Sequence, residues 1–358
     1  MSSKKNLNYH SNQHVILRRK ILEWYDKHGR KSLPWKTSNV YKIWISEIML
    51  QQTQVQTVIP YYKNFMKEYP NLNLLSHASL DEIMKLWSGL GFYRRAENIH
   101  KTCIKIQNKF NGKFPKKYEE ILSLPGIGRT TASAITTFSG YESRSILDGN
   151  VKRFLSRLSG ISNDTSTVSA LWEISESLLS KDRSADFIQA YMDIGSLICK
   201  KSNPLCNICP VTKYCNSYPY QKFKSNNPKP SIKRDNAKRN IWALAIINQN
   251  GDFYFEKISF DNLWKGLYSA PIFHKKSDLL NWVNLFNLGK SLESNIWKFS
   301  HDLSHIKFIF NVMTCNIKSH KKVSLSHDNW YNLSNIDFGI PKYQDKIISK
   351  YMSRNEYN

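Results

Sequence analysis

Apolar residues recur at helical spacing through roughly the first 215 positions, and then the texture changes. Between 44 and 67 the apolar set is Trp44, Ile48, Val55, Val58, Ile59, Tyr62, Phe65 and Met66, which predicts helix. Ser79 and Asp81 are start signals for a helix through Ile83, Met84, Leu86 and Trp87. Gly149 to Leu158 repeats the pattern with Val151, Phe154, Leu155 and Leu158, and 171–198 holds two more amphipathic stretches. This half reads as all-α. From Tyr218 to Lys238 the chain is rich in Lys, Asn, Pro and Ser, as a linker is. Beyond it, Ile241–Ile247 and Phe253–Ile258 read as strands around an Asn250-Gly251 hairpin turn. Ser277–Leu288 predicts a helix, Ile306–Ile317 a strand or two, and Tyr343–Tyr351 a short closing helix. No internal repeat is visible. The pattern therefore predicts an α+β multidomain chain: a polar tail at 1–12, an all-α domain at 13–217, a linker at 218–238 and a smaller α/β domain at 239–358.

Composition adds one pointer. The 358 residues are 41% hydrophobic, enough for packed cores, and carry a formal charge of +24. Such a charge attracts polyanions, DNA first among them. Lys and Asn abound along the whole chain, however, as an AT-rich genome's codons would produce, so charge alone is a weak vote. No run of 18 apolar residues exists to span a membrane, and Met1–Gln13 lacks the apolar core of a signal peptide. The expectation is a cytoplasmic protein, nucleoid-associated if bacterial, with no membrane partner. Four of the six cysteines lie between 199 and 215, and in a reducing compartment that clustering argues for a metal site over disulfides.

Two motifs carry chemistry. Cys199-x6-Cys206-x2-Cys209-x5-Cys215 places four thiolates in one short loop, at 199–215, which suits a [4Fe–4S] cluster or a tetrahedral zinc equally well. Leu124-Pro125-Gly126-Ile127-Gly128-Arg129-Thr130-Thr131-Ala132 sits between helical segments. Its glycines permit a tight turn, and exposed N–H groups there and at the next helix start can bind phosphate. That is the helix–hairpin–helix pattern of sequence-independent DNA binders, although a plain interhelical turn would also use it.

The order of motifs resembles the MutY branch of the endonuclease III superfamily over nearly the whole chain. The matching pieces are Leu33-Pro34-Trp35, Trp44 through Val55, Leu86 through Tyr93, the hairpin at 124–132, Leu147 through Arg153, the four-cysteine loop, and Leu263 through Tyr268. The resemblance implies a monofunctional adenine DNA glycosylase. It would act in base excision repair on duplex DNA bearing adenine opposite 8-oxoguanine or guanine, as a monomer with one [4Fe–4S] cluster on Cys199, Cys206, Cys209 and Cys215. It also implies a helix–hairpin–helix glycosylase domain followed by a Nudix-like lesion-recognition domain. The Arg-Glu-x-x-Glu-Glu run of a Nudix hydrolase is missing, so that domain is expected to bind and not hydrolyse.

Glycosidic cleavage uses an acid and a charge-stabilising carboxylate around an oxocarbenium-like sugar. Glu47, flanked by Ile45, Ile48, Met49 and Leu50, has apolar neighbours that favour its protonated form. The resemblance makes it the acid, with later activation of water. Asp148 is the second carboxylate; before Gly149-Asn150-Val151 it is also a good helix N-cap. Thr130 stands where bifunctional relatives carry a Lys, and without an amine no Schiff base forms. Trp35, Lys36, Leu50, Thr130 and Gln189 match adenine-pocket positions. Gly126, Gly128 and Arg129 match DNA-binding positions, Gln51 and Gln52 match duplex-invading ones, and Phe92 and Tyr93 the site of an intercalating Tyr. Phe92 keeps the stacking face without the hydroxyl. In Phe299 through His305, Ser304 and His305 match the family's 8-oxoguanine-sensing loop, with Leu303 where Phe is expected.

Overall fold

The computed structural model describes residues 11–162, 164–219, 237–259, 263–303, 306–317 and 324–355. Two compact units emerge, one of residues 1–77 with 101–230 and the other of 78–100 with 231–358. Most of the expected polar tail and linker lies outside the described residues.

The first unit is helical, as the apolar spacing predicts. Its helices are α1 (Ser11–His28), α2 (Val40–Leu50), α3 (Val55–Glu68) and α4 (Leu72–Ser76). After α5 (Leu80–Trp87), which belongs to the second unit, and α6 (Arg94–Phe110), which is divided between the two, come α7 (Tyr118–Leu122) and α8 (Arg129–Phe138). Then follow α9 (Gly149–Ser159), α10 (Val168–Leu178) and α11 (Ser184–Asp193), the last running into a single π-turn at Ile194–Ile198. The periodic stretch 44–67 is therefore two helices and not one. Its break is at Gln52, whose φ of 56° lies in the left-handed region that ends a right-handed helix. Caps fix the starts elsewhere. Asn39 accepts from Lys42 N at 3.2 Å to open α2, and Gly160 closes α9 with φ 72°. Leu17, Ile21, Phe154, Leu155, Phe187 and Tyr191 are all buried in the core shared by α1, α9, α10 and α11. Each such side chain contributes roughly 1.5–3 kcal/mol by leaving water.

The second unit is built on a mixed sheet. Its strands are β1 (Ala237–Asn248), β2 (Phe253–Tyr254), β3 (Glu256–Lys257), β4 (Tyr268–Ser269), β5 (Ile272–Phe273), β6 (Trp297–Leu303), β7 (Ile306–Ile317) and β8 (Trp330–Tyr331). The order is β6-β7-β1-β2-β8, with β5 also on β1 and β3 paired with β4 apart. β1 and β7 run parallel from Ala237↔Ile306 to Asn248↔Ile317, so Ile306–Ile317 is one strand. The Asn250-Gly251 turn joins β1 to β2 as expected, Gly251 taking φ 81°. Helices α12 (Lys276–Leu285) and α13 (Lys342–Asn355) complete the unit, α12 ending three residues before the expected Leu288. Phe299–Leu303, expected in a loop, lies in β6 and pairs with β7 through Leu303↔Ile306. Alternation explains this: the His301 ring packs on one face near Trp264, Phe310 and Tyr343.

Residues 78–100 join this unit through specific contacts. Ser79 and Glu82 form a capping box at the start of α5. Lys257 Nζ bonds Asp81 Oδ1 at 2.6 Å, and Ser88 Oγ donates to the Ile340 carbonyl. A Cβ at Gly339 would stand 2.6 Å from the Met84 carbonyl oxygen, so only glycine permits that approach.

Candidate active site

The hairpin is held from the side by α2. Gly126 takes φ 76°, which lets the chain turn between α7 and α8. Gln51 Nε2 donates to the Gly126 carbonyl at 3.2 Å and to Thr131 Oγ1 at 3.3 Å. Gly128 is the N-cap of α8, and no side-chain oxygen caps that helix. Its first N–H groups are thus open to an anion. Arg129 stacks on the buried Trp172 at 3.9 Å and pairs with the exposed Glu176 at 2.8 Å. Gln52 is exposed and held at positive φ, a strained state for a long side chain.

A cavity of about 310 Å³ is lined by residues from the 33–47 segment, α8 and α11. Four of the expected residues meet there: Trp35, Lys36, Glu47 and Gln189. Thr37, Ser46, Phe138 and Asp186 also line it and were not expected. Leu50, Thr130 and Asp148 are not among the lining residues. Thr130 Oγ1 instead donates to the Leu147 carbonyl at 3.3 Å, which ties α8 to the residue before Asp148.

Three of the wall residues, Trp35, Gln189 and Lys36, are fixed from behind. Trp35 is buried and meets the Tyr62 ring edge-on at 5.4 Å. Gln189 Nε2 donates to Asp193 Oδ1 at 2.8 Å. Asp193 is fully buried and also takes the backbone N and guanidinium of Arg30, at 2.7 and 2.8 Å. Lys36 Nζ donates to Tyr25 Oη at 2.6 Å and to Asp186 Oδ1 at 3.1 Å. Burial works against the Lys36 charge, but these two partners outweigh it and hold its pKa above the ordinary lysine value. Asp193 had no signal in the sequence pattern. Asp186 had one, since it stands three residues before Gln189 on the same helix face.

Burial, reinforced by the charge of Asp148, pushes the Glu47 carboxyl up to about 8. Asp148 is also raised by burial, but its carboxylate accepts from Asn150 N at 3.0 Å and Val151 N at 2.7 Å and feels Arg153. The N-cap reading of Asp148 is therefore correct, and the cap gives the charge its support. Two carboxyls with different surroundings thus favour one protonated and one ionised group, as an acid paired with a stabilising charge requires.

Helix α9 connects this carboxylate to the cysteine loop. Arg153 donates to the Gly195 and Cys199 carbonyls, the latter at 2.8 Å. One turn on, Arg157 reaches Cys199 Sγ at 3.4 Å and the Lys200 carbonyl at 2.6 Å. Cys199, Cys206, Cys209 and Cys215 line one small cavity with Phe154, Ile198 and Val211. Among the described residues, no three His, Cys, Asp or Glu side chains converge on a single ion position.

In the second unit, Phe92 is 49% exposed at φ 50°, with Arg95 stacked beneath its ring at 5.3 Å. Tyr93 is buried, its hydroxyl taking the Gly89 N–H at 3.1 Å, so it is a packing residue. Ser304 and His305 lie outside the described residues. Among the described residues, no helix is long and apolar enough to cross a membrane.

Comparison with known proteins places these features in context. Residues 45–179 match the HhH-GPD superfamily of base excision DNA repair proteins. The chain is 42% identical over 351 residues to an adenine DNA glycosylase of Buchnera aphidicola subsp. Baizongia pistaciae, covering 96% of this chain and 99% of that one. It is 40% identical over 210 residues to the adenine DNA glycosylase of Rattus norvegicus, covering 55% of this chain and 40% of that one. A thermostable thymine-DNA glycosylase superposes with a TM-score of 0.54 and 28% identity, over 58% of this chain and 98% of that one. An endonuclease III–DNA complex does so with a TM-score of 0.52 over 59% and 98%, and at 21% identity it speaks for the fold alone.

Proposed function

Since the chain belongs to the adenine DNA glycosylases of the HhH-GPD base excision repair superfamily, we propose that it removes adenine opposite 8-oxoguanine or guanine in duplex DNA, without cutting the strand. The observation that carries this reading is the cavity that Glu47 shares with Trp35, Lys36 and Gln189, where an acid stays protonated at neutral pH. A base turned out of the duplex would enter it past Trp35 and Gln189. Glu47 gives its proton to N7 of the adenine. The C1′–N9 bond then breaks with its electron pair leaving on the base. Asp148 holds the positive charge that develops on the sugar. Water adds at C1′ and the Glu47 carboxylate takes its proton.

Hydrolysis, and not lyase chemistry, is supported by the amines at hand. Thr130 offers none, and the Lys36 amine is kept charged by Tyr25 and Asp186, so it is no nucleophile. Gly126, Gly128 and Arg129 would seat the backbone phosphates, Gln51 and Gln52 would enter the duplex, and Phe92 would stack beside the opposite base. Ser304 and His305 are the proposed readers of 8-oxoguanine, within a lesion-recognition domain at 239–358.

The four cysteines fit an iron–sulfur group: soft thiolates around one cavity, with Arg157 donating to the Cys199 sulfur. Cys199, Cys206, Cys209 and Cys215 would hold a [4Fe–4S] cluster. Bound, it supplies a rigid, redox-capable scaffold for the loop.

The test is single-turnover excision on duplexes with adenine opposite 8-oxoguanine, guanine or thymine, with and without hot alkali. Strand breaks only after alkali, fastest opposite 8-oxoguanine, support the proposal. Breaks without alkali would refute hydrolysis, and equal rates on the three duplexes would refute the pairing preference.

A further inference from the structure

Asp186 and Lys36 sit on the wall of the cavity with a defined arrangement of free and occupied hydrogen-bonding positions. An ammonium has three protons, and Lys36 gives one to Tyr25 Oη and one to Asp186 Oδ1. A carboxylate has about four acceptor sites. Asp186 Oδ1 takes Lys36, while Oδ2 takes Arg183 Nε at 3.2 Å and Nη2 at 2.9 Å. One donor on Lys36 and one acceptor on Asp186 Oδ1 are left side by side. Both side chains remain accessible, at 42% and 31%. The pair is also fixed in place: Arg183 is clamped bidentately by Asp26 at 2.7 and 3.0 Å, so the row Asp26–Arg183–Asp186–Lys36–Tyr25 exists before any base arrives.

We propose that Asp186 is a specificity-determining residue, which with Lys36 reads the 6-amino edge of the base in the pocket. This rests on the reading of the cavity as the base pocket. A 6-aminopurine presents an N–H donor beside a ring-nitrogen acceptor. The Asp186 carboxylate accepts from the amino group and the Lys36 ammonium donates to the ring nitrogen. A 6-oxopurine turns its oxygen toward the carboxylate, and the like-signed dipole and charge repel. Adenine is thus selected by attraction and its 6-oxo counterpart rejected by repulsion. An exposed ion pair with only a structural role would contribute little and would not distinguish the two bases.

The experiment compares single-turnover excision of adenine and of hypoxanthine, the 6-oxo analogue, opposite the same guanine. Asp186→Ala should slow adenine excision about 10- to 100-fold, the size of a lost charge-assisted hydrogen bond, and speed hypoxanthine excision because the repelling charge is gone. Asp186→Asn keeps the shape and so protects against misfolding. Its amide can turn an N–H toward O6, so hypoxanthine excision should rise. Equal slowing of both bases, or no change in their ratio in either variant, would overturn the assignment while leaving the pocket reading intact. A wild-type enzyme that excises no adenine from any duplex would overturn both.

Discussion

The Glu47 carboxyl is lifted to about 8 by burial and then by the charge of Asp148, the residue that caps α9. The consequence for catalysis is a pH profile with two limbs. Glu47 must be protonated to act as the acid, so single-turnover excision should hold through neutrality and fall tenfold per pH unit above about 8. Asp148 must be ionised, so the rate should also fall on the acid side, at a pH above the ordinary aspartate value because burial raises that group. Measurement from pH 4 to pH 10 with excess enzyme checks both limbs. A profile flat across pH 8 would remove Glu47 from the role of acid.

The same proton has a cost in stability. Glu47 is raised in the folded state above its ordinary value of 4.5, so the folded protein holds the proton more tightly than the unfolded chain. Stability from this group is full below pH 4.5 and is lost as pH rises toward about 8. Glu47→Gln removes the loss. It should leave the melting temperature unchanged near pH 4 and stabilise the fold by roughly 1–4 kcal/mol at pH 8 and above, while abolishing excision. Thermal melts at the two pH values test it. A variant less stable at pH 8 would mean that the carboxylate makes favourable contacts.

Much of this site was legible because it is local. Trp35, Lys36 and Glu47 belong to short motifs, and the Asp148 cap is written in the four residues Asp148-Gly149-Asn150-Val151. What was not legible depends on distant pairings. Asp193 matters because Arg30 and Gln189 converge on it, and nothing within its own turn of helix says so. The grouping of 78–100 with the C-terminal unit rests on Asp81 meeting Lys257 and on the bare backbone of Gly339 against Met84. Gln52 broke a helical stripe that the apolar spacing carried straight through, because periodicity reports which face is buried and not the φ of one exposed residue.

Gly195 should tolerate no side chain. A Cβ there would lie 2.8 Å from the Asn150 carbonyl carbon and oxygen, which are backbone atoms and cannot swing aside. Asn150 N in turn donates to the Asp148 carboxylate, so the displacement would reach the cap that is proposed to steady the sugar's charge. Gly195→Ala is expected to cost about 1–3 kcal/mol and to slow excision more than it weakens DNA binding. Gly289→Ala, away from the site and with nothing within 4 Å of its added carbon, is the control. Melting temperatures and single-turnover rates for both decide it, and a Gly195 variant as stable as the control would show that α9 and the π-turn can separate without harm.

Gln52 holds φ 56° on the exposed turn between α2 and α3, a conformation that favours glycine. A long polar side chain kept there at a cost points to use of the side chain. Gln52→Gly should relieve the strain and raise stability by about 0.5–1 kcal/mol. It should also lower affinity for mismatched duplex, since the group proposed to enter the helix is gone. The two effects run in opposite directions, which separates function from folding. Melting temperature and fluorescence anisotropy with a labelled duplex give the two readouts. Unchanged affinity with higher stability would leave Gln52 as a strained turn residue with no part in DNA binding.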